Sequence, residues 1–172
     1  LSDDERFVMV YNGEIYNFKE FYPELKSNGF DIKTGSDTEV LLKLFQLYGS
    51  KMLHRLNGMF AFAIWDKMKK ELTVVRDRMG VKPLYYSFYN ESFYFASEQK
   101  ALFTAGLPLK VAQDGLEEYI FNRFVAGDNT LYENIKKVLP GHIMTIHEGG
   151  KVVNEKWWDL KTEIQNQATI KD

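Results

Sequence analysis

The sequence predicts an α+β domain in which sheets are covered by helices. Strand patterns cluster in the middle of the chain, and helical patterns lie before and after them. Residues 59–65 are apolar on both faces, which is typical of a strand that is covered on each side. With 172 residues, 45% of them hydrophobic, the chain is long enough to bury one sizeable core. We therefore expect a single domain whose sheets are sandwiched between helices.

The chain begins with a strand pattern over residues 6–11. The pair Asn12-Gly13 follows and favours a tight turn, because both residues tolerate positive φ. Apolar residues then recur at spacings of three and four, which predicts a helix that ends near Asn28 and Gly29. This apolar stripe consists of Ile15, Phe18, Phe21, Tyr22 and Leu25. The local prediction is a strand, a glycine turn and a helix.

A short strand and a second helix are predicted next. Residues 30–34 alternate between apolar and polar, as a half-exposed strand does. Residues 40–48 have helical spacing, the segment 35–38 offers a cap for the helix N-terminus, and Gly49 ends the helix. A further helical turn over 52–56 leads into the apolar strand 59–65.

Two hairpins are predicted in the middle of the chain. The strand 59–65 has its partner at 71–75, across a basic turn. Residues 84–89 and 92–96 alternate as a second pair of strands, and a short helix over 98–103 follows them.

The last part of the chain contains one helix and one hairpin. The helix is predicted over 113–123, and residues 134–137 and a turn at Pro140-Gly141 follow it. The hairpin joins 142–147 to 151–157 around two glycines. Residues 161–172 are rich in Lys, Gln, Asn and Thr, which is typical of a linker or tail.

Composition excludes several kinds of partner. The formal net charge is -2, with acids and bases interspersed, so neither a nucleic acid nor an anionic membrane is expected to bind. No apolar run approaches the ~18 residues that span a bilayer, and we expect a cytoplasmic protein. The chain has no cysteine and three histidines without paired spacing, which indicates no metal site and no disulfide.

Several motifs together resemble the class II glutamine amidotransferase domain of asparagine synthetases. They occur in the family order and, with LPGH at 139–142 and WWDL at 157–160, extend over nearly the whole chain. The five longest are 12–17 (NGEIYN), 35–40 (GSDTEV), 56–63 (LNGMFAFA), 76–85 (RDRMGVKPLY) and 96–102 (ASEQKAL). The resemblance predicts such a domain over residues 1–160, and a linker toward a synthetase domain over 161–172.

The resemblance implies the fold of an N-terminal-nucleophile hydrolase. This fold is an αββα sandwich of two antiparallel sheets, and we expect it to be incomplete at the N-terminus here. In the family, an N-terminal cysteine attacks the side-chain amide of glutamine, and the ammonia travels to the synthetase domain. That absent domain is expected to bind ATP and Mg²⁺ and to amidate aspartate or a related carboxylate. A second copy of the same protein is a further candidate partner, in a homodimer.

Four residues are candidates for the site by this resemblance. Asn12 and Gly13 match the catalytic pair whose side-chain and backbone N–H groups stabilise the oxyanion of the tetrahedral intermediate. Asp37 matches the aspartate that binds the α-amino group of glutamine, and Glu14 matches a glutamate beside the substrate. Without the resemblance, Asn12-Gly13 is a plain turn, and Asp37 is a helix cap, a role open equally to its neighbours Ser36 and Thr38.

The nucleophile of the family has no counterpart in these residues. The family begins with Met-Cys-Gly, whereas this chain has no cysteine and begins inside a strand pattern. We expect the chain to be part of a longer glutamine-hydrolysing enzyme, and inactive by itself. The alternative is a cysteine-free relative, similar to the beta-lactam synthetases, in which the domain is a non-catalytic scaffold.

Overall fold

A computed structural model describes residues 1–160 of the chain. No helix in this part has both the length and the apolar character required to cross a membrane. The strands are β1 (Phe7–Ile15), β2 (Gly58–Asp66), β3 (Glu71–Arg76), β4 (Tyr85–Tyr89), β5 (Ser92–Ala96), β6 (Lys136–Lys137), β7 (His142–His147) and β8 (Val152–Lys156). The α-helices are α1 (Tyr22–Ser27), α2 (Asp37–Tyr48), α3 (Gln99–Thr104) and α4 (Gln113–Asn122). Two 3₁₀ segments, Phe18–Phe21 and Gly49–Arg55, flank α1 and α2.

The strands form two antiparallel sheets. The first sheet has five strands in the order β1-β2-β3-β7-β8, and the second has three in the order β5-β4-β6. Consecutive strands are joined by hairpins at β2-β3, β4-β5 and β7-β8. The fold class is therefore the predicted α+β arrangement with two facing antiparallel sheets.

Side-chain alternation in β2 shows why the layers stack as they do. Phe60, Phe62 and Ile64 enter an apolar cluster with α1 and α2, on one face of the first sheet. Ala61 and Ala63 point to the opposite face, where they meet apolar residues of the second sheet. Small alanines let the two sheets approach each other, and the strand is buried on both faces as its sequence predicts.

The other face of the second sheet carries the helix α3. Leu102 of α3 is buried there with Leu107 and Ile135, against tyrosines of β4 and β5. The layers are thus α1 and α2, the first sheet, the second sheet, and the helix α3. This order is the αββα sandwich that the motifs predict.

The predicted turn at Asn12-Gly13 is wrong, because β1 continues through both residues to Ile15. Gly13 has no positive φ. A Cβ on Gly13 would lie 2.4 Å from the carbonyl oxygen of Met59, and one on Gly58 would lie 2.3 Å from that of Glu14. Gly13 is therefore required by the close approach of β1 and β2 and not by a turn.

The predicted strand over 30–34 is also wrong. The backbone N–H groups of Lys33, Thr34 and Gly35 donate to the carboxylate of Glu39, at 2.7, 2.7 and 3.1 Å. These amides are paired with a side chain of α2, so they have no need of a neighbouring strand. The first helical segment begins at Phe18 rather than at Ile15, because β1 includes Ile15. The tail predicted over 161–172 lies outside the described residues.

A buried carboxylate organises the loop after β3. Asp77 is 1% exposed, and its two oxygens accept four backbone hydrogen bonds. The donors are the N–H groups of Phe60, Met79, Val81 and Lys82, at 3.3, 3.1, 2.9 and 2.9 Å. These bonds tie the loop to β2, the strand that supports β1.

We expect Asp77→Asn to lower the free energy of unfolding by about 2–4 kcal/mol. The carboxamide keeps one acceptor oxygen and turns its NH₂ group toward backbone donors that it cannot satisfy. Urea denaturation followed by circular dichroism measures the difference. The exposed Asp31→Asn is the control, with an expected change within about 0.5 kcal/mol. Equal effects of the two substitutions would show that the Asp77 carboxylate is not important for stability.

Candidate active site

Within residues 1–160, β1 is an edge strand of the first sheet, and the predicted residues lie along its free edge, the side away from β2. The N–H of Tyr16 donates to Asn57 O at 2.7 Å, and the N–H of Lys67 donates to Arg6 O at 3.0 Å. Even-numbered positions of β1 therefore direct their backbone groups toward β2, and odd-numbered positions direct them away. The outward N–H of Ile15 accordingly bonds to the carboxylate of Asp37, at 3.1 Å.

The backbone N–H of Gly13 lies on this free edge. By the same alternation it points away from β2, and it meets no acceptor among residues 1–160. The close packing of Gly13 and Gly58 fixes β1 against β2 at this point. The result is an unpaired donor on a backbone that is held in place, which is what an oxyanion site requires.

Asn12 presents its side chain to the second sheet. Its Nδ2 donates to Ser97 Oγ at 2.9 Å, across 85 positions of sequence. Beside it lies a cavity of about 380 Å³, which opens between β1 of the first sheet and β5 of the second. Val10, Ala61 and Phe95 contribute apolar walls to this cavity. The carboxamide is thus a polar group at the edge of an apolar space.

Asp37 is the first residue of α2, and it is held by donors from β1. Its Oδ2 accepts from the hydroxyl of Tyr11 at 2.7 Å and from the N–H of Ile15, while Oδ1 accepts from the N–H of Thr38 at 2.7 Å. The helix cap is Ser36, whose Oγ accepts from the backbone of α2. The capping alternative for Asp37 is therefore wrong. Oδ1 has a second, longer contact with the hydroxyl of Thr38, at 3.4 Å.

Tyr11 keeps the carboxylate of Asp37 in position at any ordinary pH. Burial, the hydrogen bond to Asp37 and the charge of that carboxylate raise the pKa of the Tyr11 hydroxyl far above its usual value. The hydroxyl therefore stays protonated and remains a donor to Asp37. Tyr11 and Asn12 are neighbours in the strand, so one faces the helices and the other faces the second sheet.

Glu14 lies on the same face of β1 as Asn12, two residues further along. Its side chain is exposed, and its carboxylate makes no hydrogen bond within the described part of the chain. The Glu14 carboxylate thus lies near the candidate donors and is free to contact a ligand. The structure thus places all four predicted residues at one end of β1 or beside it.

Two residues that the sequence did not single out contact the predicted ones. Tyr11 directly precedes the motif 12–17 and is the last residue of the predicted strand 6–11. Alternation alone did not indicate which of its neighbours it would contact. Ser97 lies in the motif 96–102. Because it is 85 positions from Asn12, no local sequence pattern indicates that the two residues are in contact.

The fold of this chain is shared by solved structures that include a glutamine amidotransferase. The structure of glutamine phosphoribosylpyrophosphate amidotransferase from Bacillus subtilis, complexed with ADP and GMP, matches with a TM-score of 0.66 and 23% identity. The match covers 91% of this chain and 30% of that one. A class-II glutamine aminotransferase domain protein from Silicibacter pomeroyi matches with a TM-score of 0.54 and 18% identity, over 88% of this chain and 67% of that one.

The family follows from sequence comparison. The glutamine amidotransferase domain model matches residues 1–158, and the chain belongs to this family. Asparagine synthetase [glutamine-hydrolyzing] 1 of Bacillus subtilis is 41% identical over 150 residues, which are 87% of this chain and 24% of that protein. Asparagine synthetase [glutamine-hydrolyzing] 3 of that organism is 33% identical over 165 residues, 92% and 26% of the two chains. The chain spans about a quarter of the length of these relatives.

We expect Gly58→Ala to lower the free energy of unfolding by more than about 3 kcal/mol. Its Cβ would lie 2.3 Å from the carbonyl oxygen of Glu14, which is backbone and cannot move aside. Gly149→Ala is the control, because a Cβ there meets nothing within 4 Å although φ is +88°. That strain costs about 1 kcal/mol. Urea denaturation of both variants compares them, and a smaller loss in Gly58→Ala than in Gly149→Ala would exclude the close approach.

Proposed function

We propose that this domain hydrolyses glutamine and supplies ammonia within an asparagine-synthetase-like protein. One observation carries the proposal: the unpaired N–H of Gly13 and the carboxamide of Asn12 belong to adjacent residues at one strand edge, beside a cavity. Attack on the amide of glutamine creates a tetrahedral intermediate with a negatively charged oxygen. Two N–H donors that are fixed beforehand stabilise that charge without reorganising during the reaction.

We assign to Asp37 the binding of the α-amino group of the substrate glutamine. An ammonium group pairs well with a carboxylate, and it would take the place of the long contact, 3.4 Å, between the Thr38 hydroxyl and Oδ1 of Asp37. Oδ2 is occupied by Tyr11 and Ile15, and these bonds orient the carboxylate. Glu14 is assigned a supporting contact with the substrate.

The remaining parts of the reaction are assigned to groups outside these residues. The chain has no cysteine, so the proposed nucleophile is a cysteine elsewhere in the protein that the gene encodes. ATP and Mg²⁺ are assigned to a synthetase domain of the same protein, with aspartate or a related carboxylate as the acceptor. The names of the relatives and the small share of their length that this chain spans support this division.

A second candidate function is a non-catalytic interaction domain, and the surface of α4 favours it. Phe121, Ile120 and Phe124 are 83%, 62% and 61% exposed, and Leu116 and Tyr119 add to the same apolar surface. Such a concentration of exposed apolar side chains is typical of a surface that another protein or domain covers. This surface is compatible with either function, whereas the geometry around Gly13 supports the first.

Asn12→Ala, in the protein as its gene encodes it, is expected to reduce kcat for glutamate release by about 10²- to 10³-fold. The substitution removes one oxyanion donor and leaves the proposed binding group Asp37 intact, so we expect KM to change little. Asn154→Ala is the matched control, on an exposed position of β8, and should be as active as the parent.

Two measurements together distinguish the two functions: calorimetry of glutamine binding and the assay of glutamate release. A protein that neither binds glutamine nor releases glutamate would contradict the catalytic proposal and support the interaction domain. Full activity in Asn12→Ala would remove Asn12 from the site.

Asp37→Asn is expected to raise KM for glutamine by about 10- to 100-fold, because it removes the charge that pairs with the ammonium group. Tyr11→Phe is the matched control, since it removes a hydrogen bond to Asp37 and keeps the charge. Its KM should change by less than about threefold. If both variants raise KM equally, Asp37 acts only by holding α2 against β1.

A further inference from the structure

The hydrogen bond between Asn12 and Ser97 connects the two sheets at the candidate site. Asn12 is in β1 of the first sheet, and Ser97 directly follows β5 of the second. Nδ2 and Oγ are 2.9 Å apart. The direction of the Asn12 carboxamide therefore depends on where the second sheet holds Ser97.

Ser97 itself is held on both sides by the backbone of the second sheet and its helix. Ala96, one residue before, pairs with Tyr85 of β4. Two residues after Ser97, α3 begins at Gln99, and the carbonyl of Glu98 accepts from the N–H of Ala101. The hydroxyl of Ser97 thus stands on a short connection between two fixed elements.

An asparagine side chain needs such a partner if it is to act as a donor in one direction. The terminal torsion of Asn has broad, weakly defined minima, and the Asn12 side chain is exposed. Rotation about that torsion moves the NH₂ group out of its place, and the hydrogen bond from Nδ2 to Ser97 Oγ restricts this rotation. Nδ2 carries two hydrogens, so Ser97 accepts one and leaves the other for a ligand.

We infer that Ser97 is a positioning residue, which directs the Asn12 donor and makes it depend on the packing of the two sheets. The inference rests on the proposed function and assigns one more residue to the same site. Ser97 does not touch the substrate; it acts through the carboxamide of Asn12. Loss of its hydroxyl lowers the fraction of molecules in which the donor points toward the oxyanion.

The test uses Ser97→Ala and Ser97→Thr in the protein as its gene encodes it. Ser97→Ala is expected to reduce kcat by about 3- to 10-fold with KM within about twofold, because a directing hydrogen bond is lost. Ser97→Thr keeps the hydroxyl and should retain most of the activity. Ser92→Ala, an exposed serine at the start of β5, is the matched control and should match the parent.

A double-mutant cycle separates positioning from a general structural effect. Once Asn12 is alanine, Ser97→Ala has nothing left to direct and should cause no further loss of kcat. A further loss of the same size in the Asn12→Ala background would overturn the inference. So would full activity of Ser97→Ala, or an activity of Ser97→Thr as low as that of Ser97→Ala.

A readout that does not require catalysis distinguishes this inference from the proposed function. In protein labelled with ¹⁵N-asparagine, the side-chain NH₂ signals of Asn12 report its hydrogen bond. Ser97→Ala should shift these signals and speed the exchange of their hydrogens with solvent. Unchanged signals overturn the inference whether or not the protein hydrolyses glutamine, while shifted signals in an inactive protein support the contact and contradict the proposed function alone.

Discussion

The contact between β1 and β2 at Gly13 and Gly58 is the constraint on which the candidate site depends. Each glycine has a backbone carbonyl of the opposite strand where a Cβ would lie. This contact commits one edge of β1 to β2, and on the other edge the N–H of Gly13 has no acceptor within residues 1–160. Amides inside a sheet are already paired, so a site built from backbone N–H groups requires such an edge.

The same free edge is fixed at both ends by side chains. The N–H of Phe7 donates to Ser2 Oγ at 2.9 Å, and the N–H of Ile15 donates to Asp37 at 3.1 Å. Between these two anchors the strand carries Gly13. Asp37 thereby serves two purposes, because it closes the end of the edge and brings a negative charge to the place where the proposed substrate's ammonium group binds.

Much of this architecture could be predicted from the sequence, and the failures have physical causes. The central strand, both helix ends at Gly29 and Gly49, and all later hairpins follow from local alternation and turn residues. The course of β1 does not, because a glycine required by a close approach has the same sequence signal as a glycine in a turn. The segment 30–34 fails for another reason, since the carboxylate of Glu39, in the helix that follows, accepts from the amides of Lys33 and Thr34.

The two proposed donors differ in how firmly the fold holds them. The N–H of Gly13 is part of a backbone that is packed directly against β2, so its direction changes only if the sheet changes. The carboxamide of Asn12 is an exposed side chain whose direction depends on one hydrogen bond to Ser97. Sequence motifs led to the proposal of both donors, but no local pattern could reveal their unequal support, because it arises from contacts with other strands. The second sheet therefore influences the site through Asn12, and the first sheet through Gly13.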